Sequence, residues 1–152
     1  MKSKFDFSLI ERKLKKMKID LPEEIANDSI RYFNDSFKKQ GWDSNSWRPR
    51  KKVGKKPGKT LIQSGALRRS VKKVSANFNK IVIGSYLPYS QIHNEGFNGI
   101  EKVKSYTRRN GAVVKSHDRH MIMPQRQFMG YSPILNRQHK NKILKMIKFA
   151  FK

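Results

Sequence analysis

Apolar residues recur at helical spacing over two stretches near the start of the chain. The first stretch predicts an amphipathic helix over residues 8–18, beginning with a capping box in which the Ser8 hydroxyl accepts from the first turn. The second has Pro22 in its first turn, where a missing N–H is tolerated, and predicts a helix that runs to about Gln40. Gly41 follows and is expected to take the left-handed conformation that ends a helix.

A third helical pattern closes the chain and starts at Ser132-Pro133. Its apolar face is formed by Ile143, Leu144, Ile147, Ala150 and Phe151. Its solvent side is formed by Lys140, Lys142, Lys145 and Lys148. This spacing predicts a C-terminal helix over residues 132–151 that packs on the rest of the protein through one face.

Between these helices the pattern becomes typical of strands. Val74, Ala76 and Phe78 alternate with polar residues, which predicts a half-buried strand. Residues 77–80 favour a turn, and the uninterrupted apolar run at residues 81–83 is typical of a central strand.

Residues 97–123 have the pattern of a long hairpin. Asn110-Gly111 is a strong signal for a two-residue type I′ turn, which would pair Thr107 with Val114 and Arg109 with Ala112. The arms carry the basic residues Lys102, Lys104, Arg108, Arg109, Lys115 and Arg119. The hairpin is therefore predicted to be a basic projection.

The order of the elements predicts one α+β domain over residues 1–152. A small, mostly antiparallel sheet with the long basic hairpin, over residues 61–130, is expected to pack against N-terminal helices at 8–40 and the C-terminal helix at 132–151. Residues 41–60 alternate Gly and Pro with Lys/Arg pairs and have no periodicity. They predict a basic loop whose start is anchored on the core by two tryptophans.

The charge of the chain adds a candidate partner. The 152 residues include 35 Lys/Arg and 11 Asp/Glu, for a formal net charge of +24. Most of the excess follows Asp43, where 25 Lys/Arg accompany only three acids, Glu95, Glu101 and Asp118. Such a field attracts a polyanion or an acidic protein surface, and nucleic acid is the natural candidate. The contact would be with phosphates, because no helix-turn-helix, zinc-finger or basic-zipper pattern occurs. A role in solubility is the alternative reading of the same charges.

Residues suited to catalysis are few. The chain has no cysteine, so thiolate chemistry is excluded. His117, Asp118 and His120 lie close in sequence, and a small nuclease would need them to converge on a metal ion. The segment 54–60 lacks the spacing and the preceding strand of a P-loop. No catalytic residue, cofactor or metal is expected, and no run of about 20 apolar residues predicts a membrane span.

Four segments carry a resemblance to a known family. The first is Gly41-Trp42 with Trp47 and Pro49, and the second is Leu61-Ile62-Gln63-Ser64-Gly65-Ala66-Leu67-Arg68-Arg69-Ser70. The third is Val82-Ile83-Gly84-Ser85 followed by Tyr89-Ser90-Gln91-Ile92-His93-Asn94-Glu95-Gly96, and the fourth is Met123-Pro124-Gln125-Arg126-Gln127-Phe128-Met129-Gly130-Tyr131-Ser132. In this order they resemble the phage virion morphogenesis proteins, also called tail completion or head–tail joining proteins.

The resemblance implies a structural, non-enzymatic protein that completes the phage tail or joins it to the head, as a ring-forming subunit around the DNA path. The implied partners are other copies of the chain, tail-terminator or tail-tube proteins, connector or neck proteins, and packaged double-stranded DNA through non-specific contact, with no membrane. The implied location is the neck or tail top of the virion, after assembly in the bacterial cytoplasm. A sequence-independent nucleic-acid-binding protein is the alternative.

The resemblance also selects residues. Those expected to hold the motif together are Trp42, Trp47, Leu61, Ser64, Gly65, Leu67, Arg68, Gly84, Tyr89, Ile92, His93, Gly96, Arg126, Phe128 and Gly130. The charge asymmetry of the chain, placed in such a ring, selects a second set that is expected to face DNA or a neighbouring subunit: Arg50, Lys51, Lys52, Lys55, Lys56, Lys102, Lys104, Arg108, Arg109 and Lys115. Within the first set, Arg68 and Tyr89 are expected to pin a corner near His93, and Gly65 and Gly84 to let backbones approach closely.

Overall fold

A computed structural model describes residues 7–49 and 59–151 of the chain. In these ranges the helices are α1 Phe7–Lys39, α2 Ala66–Ser70, α3 Ser90–Glu95 and α4 Pro133–Ala150. The strands are β1 Gly41–Trp42, β2 Asn45–Ser46, β3 Val71–Ala76, β4 Ile81–Ser85, β5 Phe97–Val103, β6 Tyr106–Thr107, β7 Val113–Val114 and β8 His117–Met123. The predicted α+β class is confirmed. The strands form four separate two-stranded antiparallel ladders, β1–β2, β3–β4, β5–β8 and β6–β7, rather than one sheet.

The N-terminal helical region is one helix and not two. α1 runs through 33 residues with Pro22 inside it. Because an interior proline lacks an N–H and crowds the carbonyl four residues earlier, the sequence predicted a new helix there. Leu21 and Pro22 are buried, and α4 packs against α1, so tertiary burial outweighs the local cost. Ser8 lies in the first turn of α1, one residue after Phe7, and its capping role stays a prediction.

The end of α1 also differs from the prediction. The left-handed residue is Gln40, with φ of 56°, and not Gly41. The Gln40 side chain donates to the carbonyl oxygens of Phe37 (2.6 Å) and Thr60 (3.0 Å) and accepts from the Thr60 N–H (2.5 Å), which offsets the backbone strain. Gly41 is needed for space instead, because a Cβ there would lie 2.6 Å from the Asn45 carbonyl oxygen.

The hydrophobic core lies where α1, β1, α2, β3 and the start of α4 meet. Its buried members are Phe33, Phe37, Trp42, Trp47, Leu67, Val71, Phe128 and Leu135. Phe37 and Phe128 are fully buried, and their ring centroids are 5.1 Å apart. The Trp47 indole N–H also donates to the Gln127 carbonyl at 2.8 Å. The two tryptophans therefore anchor the start of the 41–60 segment on the core, as predicted.

α4 begins as predicted, because the Ser132 hydroxyl accepts from the Leu135 N–H at 3.1 Å and Pro133 stands in the first turn. Of the predicted apolar face, Ala150 is buried, Ile143 and Ile147 are half-buried, and Leu144 and Phe151 are exposed. Lys142 is not on the solvent side as predicted. Its ammonium pairs with Glu24 (3.0 Å) and Asp28 (2.6 Å) of α1, since this side of α4 faces an acidic stretch of that helix.

The β3–β4 ladder corrects two predictions. Its register shifts between Lys73 and Ser75, so Val74 is the extra residue of a bulge and is 71% exposed, which breaks the predicted alternation. Phe78, at the turn, is also exposed. β4 pairs with β3 alone among the described strands, so it is not the predicted central strand.

The long hairpin exists, with a different turn. β5 and β8 pair without a bulge from Phe97↔Met123 to Val103↔His117. Nearer the tip, Thr107 pairs with Val113 rather than Val114, and the Arg108 N–H donates to the Ala112 carbonyl at 2.9 Å. The turn thus has three residues, with Gly111 in the left-handed region (φ 82°) and Asn110 outside it. A type I′ turn would need both residues at positive φ, so the predicted pairing is shifted by one residue.

Candidate functional site at the junction of the motif segments

The segments that carry the family resemblance meet beside α3. The Asn94 side-chain oxygen accepts from the backbone N–H groups of Phe128 (3.0 Å) and Met129 (3.1 Å). The Arg126 N–H donates to the His93 carbonyl at 2.8 Å. The segment at 124–130 is therefore held against α3 by a short series of hydrogen bonds, which fixes Phe128 in the core.

Tyr89 and His93 form the outer wall of this junction. Their rings are in edge-to-face contact with centroids 5.9 Å apart, and the His93 N–H donates to the Tyr89 carbonyl at 3.2 Å. The His93 Nδ1 atom is buried and has no hydrogen-bond partner among the described residues. Burial lowers the pKa of His93, and the nearby positive charge of Arg126 lowers it further. The imidazole is therefore kept mainly neutral near pH 7.

Arg126 is buried deep in the same junction, with 7% of its surface exposed. Its Nε–H donates to the Arg48 carbonyl at 3.2 Å, and Nη1 lies 3.8 Å from the Met123 sulfur. It forms no ion pair with any carboxylate in the described part of the chain. Burial and then the charge of Arg48 lower the pKa of Arg126, although a guanidinium keeps its proton at neutral pH.

A cavity of about 300 Å³ opens between these side chains and the start of the second motif segment. Lys59, Thr60, Ser64, Tyr89, His93 and Arg126 supply its polar wall. Leu61 and Leu67 supply apolar surface at the same cavity. No lining residue that the structure describes is acidic, so the cavity is electropositive.

The remaining motif residues fall into three settings. Trp42, Trp47, Leu67 and Phe128 are buried in the core, Leu61, Gly65, Arg68, Gly84, Ile92 and Gly96 are half-buried, and Ser64 and Gly130 are exposed. The Arg68 side chain, predicted to pin the corner, makes no hydrogen bond or ion pair with a described residue. The neighbouring Arg69 donates to the Ser64 carbonyl at 3.0 Å and closes the α2 turn instead.

Close backbone approach occurs at Gly96 rather than at Gly84. A Cβ on Gly84 would meet its nearest neighbour, Val74, at an ordinary 3.7 Å, so the predicted need for glycine there is wrong. Gly96 has φ of 81°, and a Cβ would lie 3.0 Å from the Gln125 nitrogen and 3.1 Å from the Met123 carbonyl oxygen. Gly96 lets the chain leave α3 next to the fourth motif segment.

Several polar residues that hold the junction were missed as sites from sequence. Asn94 and Gln40 clamp loop backbone, and the Ser70 and Ser85 hydroxyls are 2.6 Å apart between α2 and β4. The Asp43 carboxylate accepts from the hydroxyls of Tyr32 and Ser132 and ties α1 to the cap of α4. Burial and the Asp43 contact raise the pKa of Tyr32. Asn94 lies within the third motif segment, but no local pattern indicates its hydrogen-bond partners.

The predicted DNA-facing or subunit-facing residues are in two places. Lys102, Lys104, Arg108, Arg109 and Lys115 are all exposed on the hairpin. Arg50, Lys51, Lys52, Lys55 and Lys56 lie outside the described residues. Residues 102–117 contain no acid, so the hairpin tip has unbalanced positive charge. Ile100 and Ile122 are 68% and 67% exposed on one face of the same hairpin.

The cluster that a nuclease would need does not converge. His117 points to one face of the extended strand β8, and Asp118 and His120 point to the opposite face. Across the ladder they stand opposite Val103, Lys102 and Ile100, none of which is a metal ligand. Among the residues that the structure describes, no three His, Cys, Asp or Glu side chains are grouped to hold a metal ion.

The family model for phage virion morphogenesis proteins matches residues 11–148. The chain belongs to the phage virion morphogenesis family. Because the match covers both terminal helices, the family resemblance extends beyond the four motif segments. No curated protein and no solved structure matches the chain. In the described ranges, no helix of this family member combines the length and apolar composition needed to cross a membrane.

Proposed function

We propose that this family member is a structural subunit of the phage particle that completes the tail or joins it to the head, as part of a ring around the DNA path. The observation that carries the proposal is the family match over residues 11–148. A protein of this kind works through shape and surface charge, so its motif residues need to fix a fold rather than perform a reaction.

The hairpin supports the ring model. β5 and β8 make their main contacts with each other and extend away from the core, and they present both cations and exposed isoleucines. An exposed apolar face with charge around it is suited to contact with another protein. In the proposed ring, this face contacts a neighbouring subunit, and the basic tip lies near the phosphates of passing DNA without reading bases.

Partners and location follow from the same proposal. The subunit would contact other copies of itself, tail-terminator or tail-tube proteins, and connector or neck proteins. It would assemble in the bacterial cytoplasm and remain at the neck or tail top of the virion. The motif residues, including Trp42, Trp47 and Phe128, would act as the scaffold that presents these contact surfaces.

Electron microscopy of phage lysates tests the proposal. A phage whose gene stops at Gln63 is compared with the same phage complemented by the full-length gene. We expect DNA-filled heads beside separate, normal-length tails in the first lysate, and joined particles in the second. Intact particles from the truncated gene, or failure before heads form, would exclude the joining role.

A sequence-independent nucleic-acid-binding protein is the second candidate. It is favoured by the excess of cations after Asp43 and by the acid-free hairpin tip. The position of the gene separates the candidates, because a joining protein is expected among capsid and tail genes. A location among replication genes would favour nucleic-acid binding as the main function.

A further inference from the structure

The electropositive cavity beside α3 has features of an incomplete ion pair. Arg126 is more than nine-tenths buried, yet no described carboxylate balances its charge. His93 presents a buried Nδ1 without a partner at the same cavity. Buried charges in proteins are usually paired, because removing an unpaired ion from water is costly. A bound anion would balance the charge of Arg126.

No acid among the described residues lines the cavity. Of the three acids after Asp43, Glu95 accepts from the Gln91 amide at 3.0 Å, and Glu101 is paired with Arg119. Asp118 is on the exposed hairpin. Residues 50–58, which precede the cavity residue Lys59 in sequence, contain no acid.

We propose that this cavity binds one carboxylate, carried by an aspartate or glutamate side chain of a neighbouring protein, with Arg126 as the principal ligand. Lys59 adds a second positive charge at the cavity, and the hydroxyl-bearing side chains of Thr60, Ser64 and Tyr89 lie on its wall. The planar guanidinium suits a carboxylate, since two N–H groups can face its two oxygens. That the carboxylate belongs to another virion protein rests on the proposed function. The binding site rests on the geometry of the cavity alone.

Two features favour a protein carboxylate over a DNA phosphate. Phosphates of a duplex lie on a convex surface and are reached by exposed side chains such as Arg108 and Arg109, whereas Arg126 is recessed. The cavity also has apolar surface from Leu61 and Leu67, which would contact the methylene groups of a glutamate side chain. A phosphodiester has no equivalent stem.

Two small monoanions can test this assignment. Propionate represents a glutamate side chain, and dimethyl phosphate represents a phosphodiester. The pKa of His93 is measured by NMR in sodium chloride, sodium propionate and sodium dimethyl phosphate at equal ionic strength. We expect propionate to raise the pKa of His93 relative to chloride, because a bound negative charge near the imidazole favours its protonated form. Dimethyl phosphate is expected to raise it less.

Variants test whether the change in the His93 pKa arises from binding in the cavity. Arg126→Lys keeps the charge but loses the planar fork, and is expected to weaken propionate binding by about tenfold. Lys59→Gln alters an exposed cavity residue, so its folding is not at risk, and is expected to weaken binding about two- to threefold. Arg109→Gln, on the hairpin, is the matched control and should bind as the native protein does. If Arg126→Lys does not fold, the Lys59→Gln result decides.

The contrary outcomes are distinct. An unchanged His93 pKa in both salts would overturn the binding site, as would unchanged affinity in Lys59→Gln. A larger response to dimethyl phosphate would overturn the carboxylate and assign the cavity to DNA. If propionate binds as expected but the truncated phage still forms intact particles, the site stands and the joining function fails.

Discussion

At the motif junction, side-chain amides replace missing backbone partners. The Asn94 oxygen accepts from two consecutive N–H groups of the segment that carries Phe128. The Gln40 side chain, after the end of α1, accepts from the Thr60 N–H and donates to the Thr60 carbonyl. Each of these side chains holds a loop that belongs to no helix or strand ladder. Because an unsatisfied buried N–H costs about 1–3 kcal/mol, single polar side chains decide whether these loops stay in place.

Replacing Asn94 by alanine should therefore destabilise the protein strongly. Asn94→Ala leaves the N–H groups of Phe128 and Met129 without their partner, and we expect the free energy of unfolding to fall by about 2 kcal/mol. Asn98→Ala changes an exposed asparagine of β5 and is the matched control, with an expected change within about 0.5 kcal/mol. Urea unfolding of both variants gives the comparison. An equal decrease in the free energy of unfolding in the two variants would mean that the hydrogen bonds of Asn94 contribute little to stability.

The sequence predicted apolar residues of the junction better than polar ones. Trp42 and Trp47 could be assigned to the core because large aromatic side chains gain free energy wherever they are buried. The loop residues that Asn94 and Gln40 hold lie 20 or more residues away from them, and no local pattern encodes these pairings. The cavity at Arg126 was missed for the same reason, since its walls come from separate segments that meet only in the fold.

At the scale of elements, the types were predicted well and the boundaries less well. The helix start at Ser132 and the turn after Ala76 followed from local chemistry, and both are present. The predicted break at Pro22 was wrong because packing against α4 maintains α1 through it. The hairpin register was wrong by one residue, since Asn110-Gly111 fits a two-residue or a three-residue turn and only the strand pairing selects between them.

The contact between α1 and α4 contains a half-buried histidine, His139, that should make stability depend on pH. His139 Nε2 lies 3.4 Å from the Ser29 hydroxyl. Burial lowers the pKa of His139 below its ordinary 6.5, and Lys142 lowers it further while Asp28 opposes both. The unfolded chain therefore binds more protons than the folded protein below about pH 6.5, so stability falls as the pH is lowered through that range.

We expect the free energy of unfolding to rise between pH 5.5 and pH 7.5 in the native protein and to rise less in His139→Gln. The variant keeps a polar side chain but removes the titrating group, which reduces the difference in bound protons. His120→Gln alters an exposed histidine of the hairpin and serves as the matched control. Denaturant unfolding at several pH values measures each slope. A His139→Gln slope equal to the native one would place the pH dependence elsewhere.

At the scale of the whole molecule, charge is divided between regions with different roles. Acids of α1 pair with basic residues across the fold, as Glu23 does with Lys73 and Glu24 with Lys142. The hairpin tip has no such acids, so its positive charge remains unbalanced. A uniform solubilising charge would not need this arrangement, whereas contact with a polyanion at one place would benefit from it.

The salt dependence of DNA binding can locate that contact. We expect the four-residue variant Lys104→Gln, Arg108→Gln, Arg109→Gln and Lys115→Gln to lower the slope of log affinity against log salt by about 0.9 for each phosphate that is no longer neutralised, or about 3.6 units if each of the four charges neutralises one phosphate. The α4 variant Arg137→Gln, Lys140→Gln, Lys145→Gln and Lys148→Gln removes the same charge from exposed positions of a helix and is the matched control. Fluorescence anisotropy with a 20-base-pair duplex between 50 and 200 mM salt measures both. Because net charge falls equally in the two variants, an equal decrease in slope would mean that the protein binds DNA through its overall charge and that the hairpin has no particular role.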